Sequence, residues 1–214
     1  MLGIAILGGK GPTPDILKKT AGHANILAAA DSGLIAAEAA GLEPDWVVGD
    51  MDSLTSLPNR DGLKRLDKYP ADKVLRYPAE KDYTDTELAI TLLKEKGCDE
   101  IWLAGGGGGR TDHLLAIYSL FEQDDPPDRW YTDNEKIRCI REGRALAAAL
   151  QHGSRVSVLP LGAGPWEAES VGLKWPLKGI TWQKSGLGLS NATVEGPFEI
   201  RSIRGRFLVI WDLD

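Results

Sequence analysis

Up to Phe121, short apolar runs alternate with helix-patterned segments, and glycine or aspartate closes most of the apolar runs. The apolar runs are 2–8, 25–30, 46–48, 73–77 and 100–104. Between them, 14–22, 32–40, 60–68, 84–96 and 111–121 carry helical patterns, with Gly41 and Gly97 placed as C-terminal stops. Successive parallel strands need a crossover, usually a helix. The alternation therefore predicts a doubly wound, mostly parallel α/β sheet. Ala28-Ala29-Ala30 leaves a helix as the alternative at one of these strands.

The rhythm changes near Gln123-Asp124-Asp125-Pro126-Pro127. Helical patterns thin out, and short strands with Gly/Pro turns are expected at 129–133, 136–141, 154–159, 166–171, 181–183, 187–194, 197–203 and 206–212. That spacing predicts an antiparallel β-sandwich or partial barrel. The expectation is an α/β chain with an N-terminal doubly wound domain over 1–125 and a C-terminal antiparallel β-sandwich domain over 126–214. Their boundary lies between 123 and 143.

A chain of 214 residues can bury a core without staples. Its net charge is −6 and it has no long basic run, which argues against a nucleic-acid partner. An acidic chain that handles an anionic substrate needs placed Lys or Arg side chains, or bound metal ions. Cys98 and Cys139 form no CxxC pair and read as buried small hydrophobes, and His23, His113 and His152 are scattered. The apolar start lacks a basic n-region and no run reaches membrane-spanning length, so a cytoplasmic protein is expected.

Chemistry-bearing residues concentrate at three strand ends or helix starts. Gly49-Asp50-Met51-Asp52-Ser53 follows a strand. In extended backbone Asp50 and Asp52 point to one side, at the end where open α/β sheets place ligands. Paired like charges call for a cation, and Mg²⁺ suits oxygen donors, although a solvated acidic turn accommodates the same residues. Lys81-Asp82-Tyr83-Thr84-Asp85 opens the clearest helix. Thr84-Asp85-Thr86-Glu87 matches a capping box, which accounts for Thr84, Asp85 and Glu87 but not for Asp82 or Lys81. A helix start of this kind can also receive phosphate, with Lys81 beside it. Gly105 to Gly109 and Arg110-Thr111-Asp112-His113 join a strand to a helix. The glycines let backbone N–H groups approach a phosphate, and Arg110 offers bidentate donors. The spacing fits neither a Walker A loop nor G-x-G-x-x-G. His113 can equally be a helix-packing residue.

In order along the chain, Ala30-Asp31-Ser32-Gly33, Leu42-Glu43-Pro44-Asp45, Gly49 to Leu54, Lys81 to Ala89, Gly108 to His113, Gly172-Leu173-Lys174-Trp175-Pro176-Leu177 and Gly188-Leu189-Ser190-Asn191 resemble the thiamine pyrophosphokinase (thiamine diphosphokinase) family. The resemblance implies a Mg²⁺-dependent transfer of diphosphate from ATP to the hydroxyl of thiamine, by a homodimer with thiamine between subunits. It implies Asp50, Asp52, Asp82 and Asp85 as the metal and phosphate cluster. Asp52, Asp82 and Arg110 are the catalytic candidates. Asp31, Lys81, Gly108, Gly109, Arg110, Asp112 and His113 fall on the ATP side, and Trp175, Ser190 and Asn191 on the thiamine side. Trp175 would stack on the cationic ring system. Two departures from the family pattern are Ser32, where glycine is usual, and Met51, where an aromatic is common. The residues by themselves support a metal-and-phosphate site without choosing a kinase over a hydrolase, and the resemblance supplies that choice. The alternatives are a related enzyme acting on a hydroxymethyl pterin and a non-catalytic nucleotide-binding protein.

Overall fold

The structure is a computed structural model and describes residues 1–58, 61–184 and 188–213. Position 60, at the head of the expected helix 60–68, and position 187, at the head of the expected strand 187–194, lie outside the described residues. The chain divides into two compact units. The first is Met1–Ile117 with Trp130–Asp133, and the second is Tyr118–Arg129 with Asn134–Asp214.

The first unit begins with the expected alternation. In chain order it holds β1 (Leu2–Ile6), α1 (Pro14–Ala21), β2 (Ile26–Ala30), α2 (Gly33–Ala39), β3 (Trp46–Gly49), α3 (Asp52–Thr55), α4 (Asp61–Leu66), β4 (Val74–Arg76), α5 (Asp85–Glu95), β5 (Glu100–Ala104), most of α6 (Thr111–Leu120) and most of β6 (Arg129–Tyr131). The strand order is β6-β5-β1-β2-β3-β4, and the pairs β5–β1, β1–β2, β2–β3 and β3–β4 are all parallel. The chain therefore winds outward from β1 to β4 and then returns to β5 on the other side of β1. That reversal makes the ends of β1 and β5 the topological switch point of the sheet, where such folds bind ligands.

Burial explains why alanines make a strand at β2. Ala28 and Ala29 are fully buried between Ile4, Ala5 and Ile6 of β1 and Val47 and Val48 of β3, all at 0% exposure. A central strand covered on both faces rewards small apolar side chains whatever their helix propensity. Helix α5 packs on β1, β2 and β3. Its start is fixed by a capping box: Thr84 Oγ1 accepts from Glu87 N–H at 3.2 Å, and Thr84 N–H donates to Glu87 Oε2 at 2.8 Å. Helix α2 ends as the sequence predicts: Gly41 takes a φ of +67° and Leu42 N–H donates to Ala37 O.

The second unit is an antiparallel two-sheet sandwich. After β7 (Glu135–Ile140) come β8 (Ala145–Ala148), β9 (Arg155–Leu161), β10 (Glu167–Val171), β11 (Gly188–Ala192), β12 (Phe198–Arg204) and β13 (Arg206–Asp212). One sheet runs β11-β9-β13-β7 and the other β10-β12-β8. A single apolar cluster joins both sheets and includes Leu146, Val156, Val158, Ala168, Phe198, Ile200, Phe207 and Trp211.

One local expectation is corrected and one strand is added. Residues 181–183 form no strand: Trp182 instead drops into the core, its ring 4.9 Å from that of Phe207 in an edge contact. β8, the alanine-rich Ala145-Leu146-Ala147-Ala148, lies outside the expected strands. It pairs with β12 and buries Leu146 while Ala145 and Ala147 face outward, so tertiary pairing overrides alanine's helix preference. Among the described residues no helix is long and apolar enough to cross a membrane.

Phe198 is fully buried and meets Trp211 at 6.2 Å between ring centroids. Phe198→Ala should lower unfolding stability by about 3–5 kcal/mol in urea denaturation, whereas a loss under about 1 kcal/mol would contradict its place in the core.

Candidate active site

The segments that follow β1, β2, β3, β4 and β5 supply the polar groups of the first unit's site. Three carboxylates, those of Asp31, Asp50 and Asp85, each place an oxygen within 4.8 Å of the others. Asp31 follows β2, Asp50 follows β3, and Asp85 is the first residue of α5. The capping box leaves Asp85 available for this cluster, since Thr84 and Glu87 satisfy the helix start between them.

The backbone is shaped for the convergence. Asp31 and Met51 hold left-handed φ values of 44° and 64°, uncommon for residues with a side chain. Gly49, with φ +147°, sits beneath the carboxylates; a Cβ there would lie 3.2 Å from Asp31 Cβ and 3.2 Å from Asp85 Cγ and Oδ1. Both departures from the family pattern fit this frame. Ser32 has a φ of −62°, so the position needs no glycine, while the left-handed turn falls on Asp31. Met51 is fully buried with Ala29, Leu34, Val47, Leu54 and Leu66, a packing role.

Lys81 is the cation at the centre. Its Nζ lies 3.1 Å from Asp50 Oδ2 and 3.0 Å from Asp85 Oδ1, with its side chain 12% exposed. The second contact is an ion pair outside hydrogen-bond alignment, because Asp85 Oδ1 is buried and lacks a hydrogen-bond partner. Asp31 Oδ1 is buried and unpartnered as well. The environments separate the acids. The Asp52 N–H, 3.0 Å from Asp50 Oδ1, holds the Asp50 carboxyl below its ordinary range with help from Lys81. Burial pushes the Asp85 carboxyl up, against the pull of Lys81. Burial also pulls on the Lys81 ammonium, but Asp85 and Asp50 outweigh it and its pKa is raised. The trio with one lysine stays net negative, so it retains capacity for a further cation.

Asp52 and Asp82 stand differently. Asp52 opens α3 and Asp82 lies in the loop before α5, and both are exposed. Asp31 occupies the place among converging carboxylates that the Asp50/Asp52 spacing suggests for Asp52. Extended geometry stops at Gly49, and the left-handed Met51 turns Asp52 into a helix start.

At the glycine-rich turn, Gly105, Gly106, Gly108 and Gly109 all have positive φ. Three of the glycine N–H groups already have backbone acceptors: Gly105 donates to Tyr131 O, Gly106 to Gly8 O and Gly107 to Lys10 O. A phosphate cradle is thereby narrowed to Gly108 and Gly109, which are exposed. Lys10 is a cation that sequence reasoning missed. It bridges to Gly107, and its side chain crosses Gly108 so closely that a Cβ there would lie 2.6 Å from Lys10 Cδ. The available signal was Gly8-Gly9-Lys10 directly after the first strand. Arg110 grips Asp112 in a two-bond fork, Nε to Oδ1 at 3.1 Å and Nη2 to Oδ2 at 2.5 Å. His113 is exposed on the first turn of α6, so the helix-packing alternative does not hold for it.

In the second unit, Trp175 is 53% exposed, with the Lys174 ammonium 4.5 Å from its ring centroid. That contact shows the ring face can hold a cation. Ser190 has a left-handed φ of 56° and is exposed, in a β-bulge where the β11–β9 register shifts between Gly188 and Asn191. Asn191 is buried, at 4% exposure.

A parallel α/β sheet with converging carboxylates, basic side chains and a glycine turn gathers these groups at the edge where open α/β folds bind ligands. The family described as thiamin pyrophosphokinase, catalytic domain, matches residues 17–136, more than half of the chain, and the chain belongs to that family. It is similar to the thiamine pyrophosphokinase of Bacillus subtilis (strain 168), 29% identical over 212 residues covering 97% of this chain and 96% of the relative. A crystal structure of thiamine pyrophosphokinase from Bacillus subtilis shares the fold with a TM-score of 0.78 at 23% identity, covering 100% of both chains. Thiamin pyrophosphokinase from Candida albicans does so at 0.74 and 18% identity, over 100% of this chain and 89% of that one.

The Asp112 carboxyl is pulled down to about 2 by its bonds to Arg110. A depressed acid contributes through its partner fully above the ordinary value of about 3.9, and loses that contribution as pH falls through its folded value. Arg110→Ala should return the Asp112 titration, followed by carboxyl carbon NMR, to about 3.9. An unmoved midpoint would show that the fork does not persist in solution.

Proposed function

We propose that this chain transfers the terminal diphosphate of ATP to the hydroxyl of thiamine, giving thiamine diphosphate and AMP. The match to the thiamin pyrophosphokinase catalytic domain across residues 17–136, on a site with converging carboxylates, carries the reading. In this transfer the acceptor oxygen bonds to the β-phosphorus. The bond from that phosphorus to the oxygen bridging the α-phosphate breaks, and AMP leaves with the electron pair. Such chemistry depends mainly on positioning and on offsetting developing charge.

Asp31, Asp50 and Asp85 fit a magnesium ion. All the donors are hard carboxylate oxygens, Asp31 Oδ1 is buried without a partner, and Gly49 leaves the space clear. Bound there, the ion would offset charge on phosphate oxygens. Lys81 holds Asp50 and Asp85 in place and adds fixed positive charge close to the phosphates. The Asp112 fork orients Arg110, so that its planar guanidinium is ready for phosphate oxygens. The N–H groups of Gly108 and Gly109 complete the cradle, with Lys10 and His113 beside it. Asp52 and Asp82, exposed and each within three residues of a trio member, remain the flanking carboxylates. We assign one of them, Asp82, the proton released by the acceptor hydroxyl.

Trp175 and Ser190 are assigned to thiamine, with the indole stacking on the cationic ring system. The chain is proposed to work as a homodimer with thiamine at the subunit interface. The exposed apolar side chains of Val171, Trp175 and Leu189 on the second unit support a covered face there. We place the enzyme in the cytoplasm, where ATP is supplied.

Mass spectrometry after incubation with ATP, Mg²⁺ and thiamine should show thiamine diphosphate and AMP in equal amounts. ATP loss without an acceptor would indicate a hydrolase, and product with a hydroxymethyl pterin alone would replace thiamine as the acceptor. Asp31→Asn should lower kcat/KM by about a hundredfold or more, in line with removal of one preorganised electrostatic group. Near-normal turnover in that variant would remove Asp31 from the site.

A further inference from the structure

Asn191 is assigned by motif to the thiamine side, yet its side chain is turned inward. It is 4% exposed, and among the described residues its side-chain hydrogen bonds go to backbone. Oδ1 accepts from Trp175 N–H at 3.1 Å and from Ala192 N–H at 2.8 Å, while Nδ2 donates to Trp175 O at 2.6 Å. Two backbone N–H groups facing Oδ1 fix which end of the amide is oxygen.

The arrangement extends a ladder. Residues 172–174 run antiparallel to 192–194: Leu173 bridges Thr193, Val194 N–H donates to Gly172 O at 3.0 Å, and Lys174 N–H donates to Ala192 O at 2.8 Å. One residue further, the Asn191 carboxamide takes the place of a backbone partner and serves both the N–H and the C=O of Trp175. Pro176 follows with no N–H to offer and biases Trp175 toward extended backbone. Beyond it, Leu177 N–H donates to Ser170 Oγ at 3.0 Å. An indole that is 53% exposed is thus carried on a backbone pinned by one buried amide.

Other side chains do this poorly. Aspartate keeps the acceptor but sets a carboxylate oxygen against the Trp175 carbonyl. Serine cannot reach both groups, and alanine leaves the part-buried N–H and C=O of Trp175 without these partners.

We propose that Asn191 is a positioning residue for the acceptor alcohol: its buried carboxamide fixes the backbone of Trp175, and so sets the affinity for thiamine without touching it. This rests on the assignment of Trp175 to thiamine. The energetic logic is preorganisation: a stacking ring already held in place loses less freedom when its ligand arrives.

A double-mutant cycle tests it, read as KM for thiamine and KM for ATP on Asn191→Ala, Asn191→Asp, Trp175→Ala and Trp175→Ala/Asn191→Ala, with circular dichroism to check folding. Asn191→Ala should raise the thiamine KM about tenfold and leave the ATP KM within about twofold, as for a preorganising contact. Asn191→Asp, which keeps the acceptor and loses the donor, should fall between it and the parent, and gives a reading if the alanine variant fails to fold. In the Trp175→Ala background, adding Asn191→Ala should change the thiamine KM by less than about twofold, because residues acting through one another are not additive. Equal factors in both backgrounds would mean that Asn191 meets the substrate itself and would overturn the proposal. So would a lower melting temperature with an unchanged thiamine KM. An unchanged thiamine KM in Trp175→Ala alone would instead overturn the parent assignment of Trp175, and the proposal with it.

Discussion

Three carboxylates within 4.8 Å of one another, with one lysine among them, form the constraint around which the first unit is organised. Like charges at that separation repel unless the protein or a bound ion compensates. The fold brings them together from the ends of β2 and β3 and the start of α5, elements that pack directly on one another. Accommodating them demands glycine at 49, left-handed backbone at Asp31 and Met51, and a helix cap that leaves Asp85 unused. Such local strain is tolerated where surrounding structure over-determines it, and here the buried Met51 and the β2–β3 pairing do so. Deep burial of Asp31 and a raised Asp85 are the costs of holding this charge before any cation is bound.

The parallel half is legible in the sequence because each strand there is a short apolar run with punctuation after it. The sandwich is less evenly legible. At β8 the local sequence is alanine-rich and carries no strand signal, while the deciding contact is pairing with the distant β12. At Trp182 an aromatic within a β-like run was read as strand, whereas its ring fills the core from irregular backbone. Neither outcome is written in local propensity.

The site shows the same division. Asp50 and Lys81 were legible from position and charge. Asp85 carries two compatible readings, a capping-box residue and, through the resemblance, a member of the metal and phosphate cluster, since an acidic residue in a first helical turn satisfies the dipole as well as a metal. Asp31 is placed on the ATP side by the resemblance alone, and its meeting with Asp50 and Asp85 is not legible locally because those neighbours in space are distant in sequence. Asp52 was paired with Asp50 by extended-strand spacing, and the left-handed Met51 breaks that spacing. Asn191 was legible as important but not as inward-facing, because only the bulge in β11 and the ladder beside Trp175 decide where its amide goes. Relatives that share this fold at 18% and 23% identity make the same point from the other side: widely different sequences reach one architecture.

The site's chemistry turns on which carboxylates take the cation. Crystals grown with Mn²⁺ and a non-hydrolysable ATP analogue, examined by anomalous scattering, address this directly. The expected result is a manganese peak within coordination distance of Asp31, Asp50 and Asp85, with Lys81 displaced toward the phosphates. A peak held by Asp52 and Asp82 with the trio left bare would contradict it.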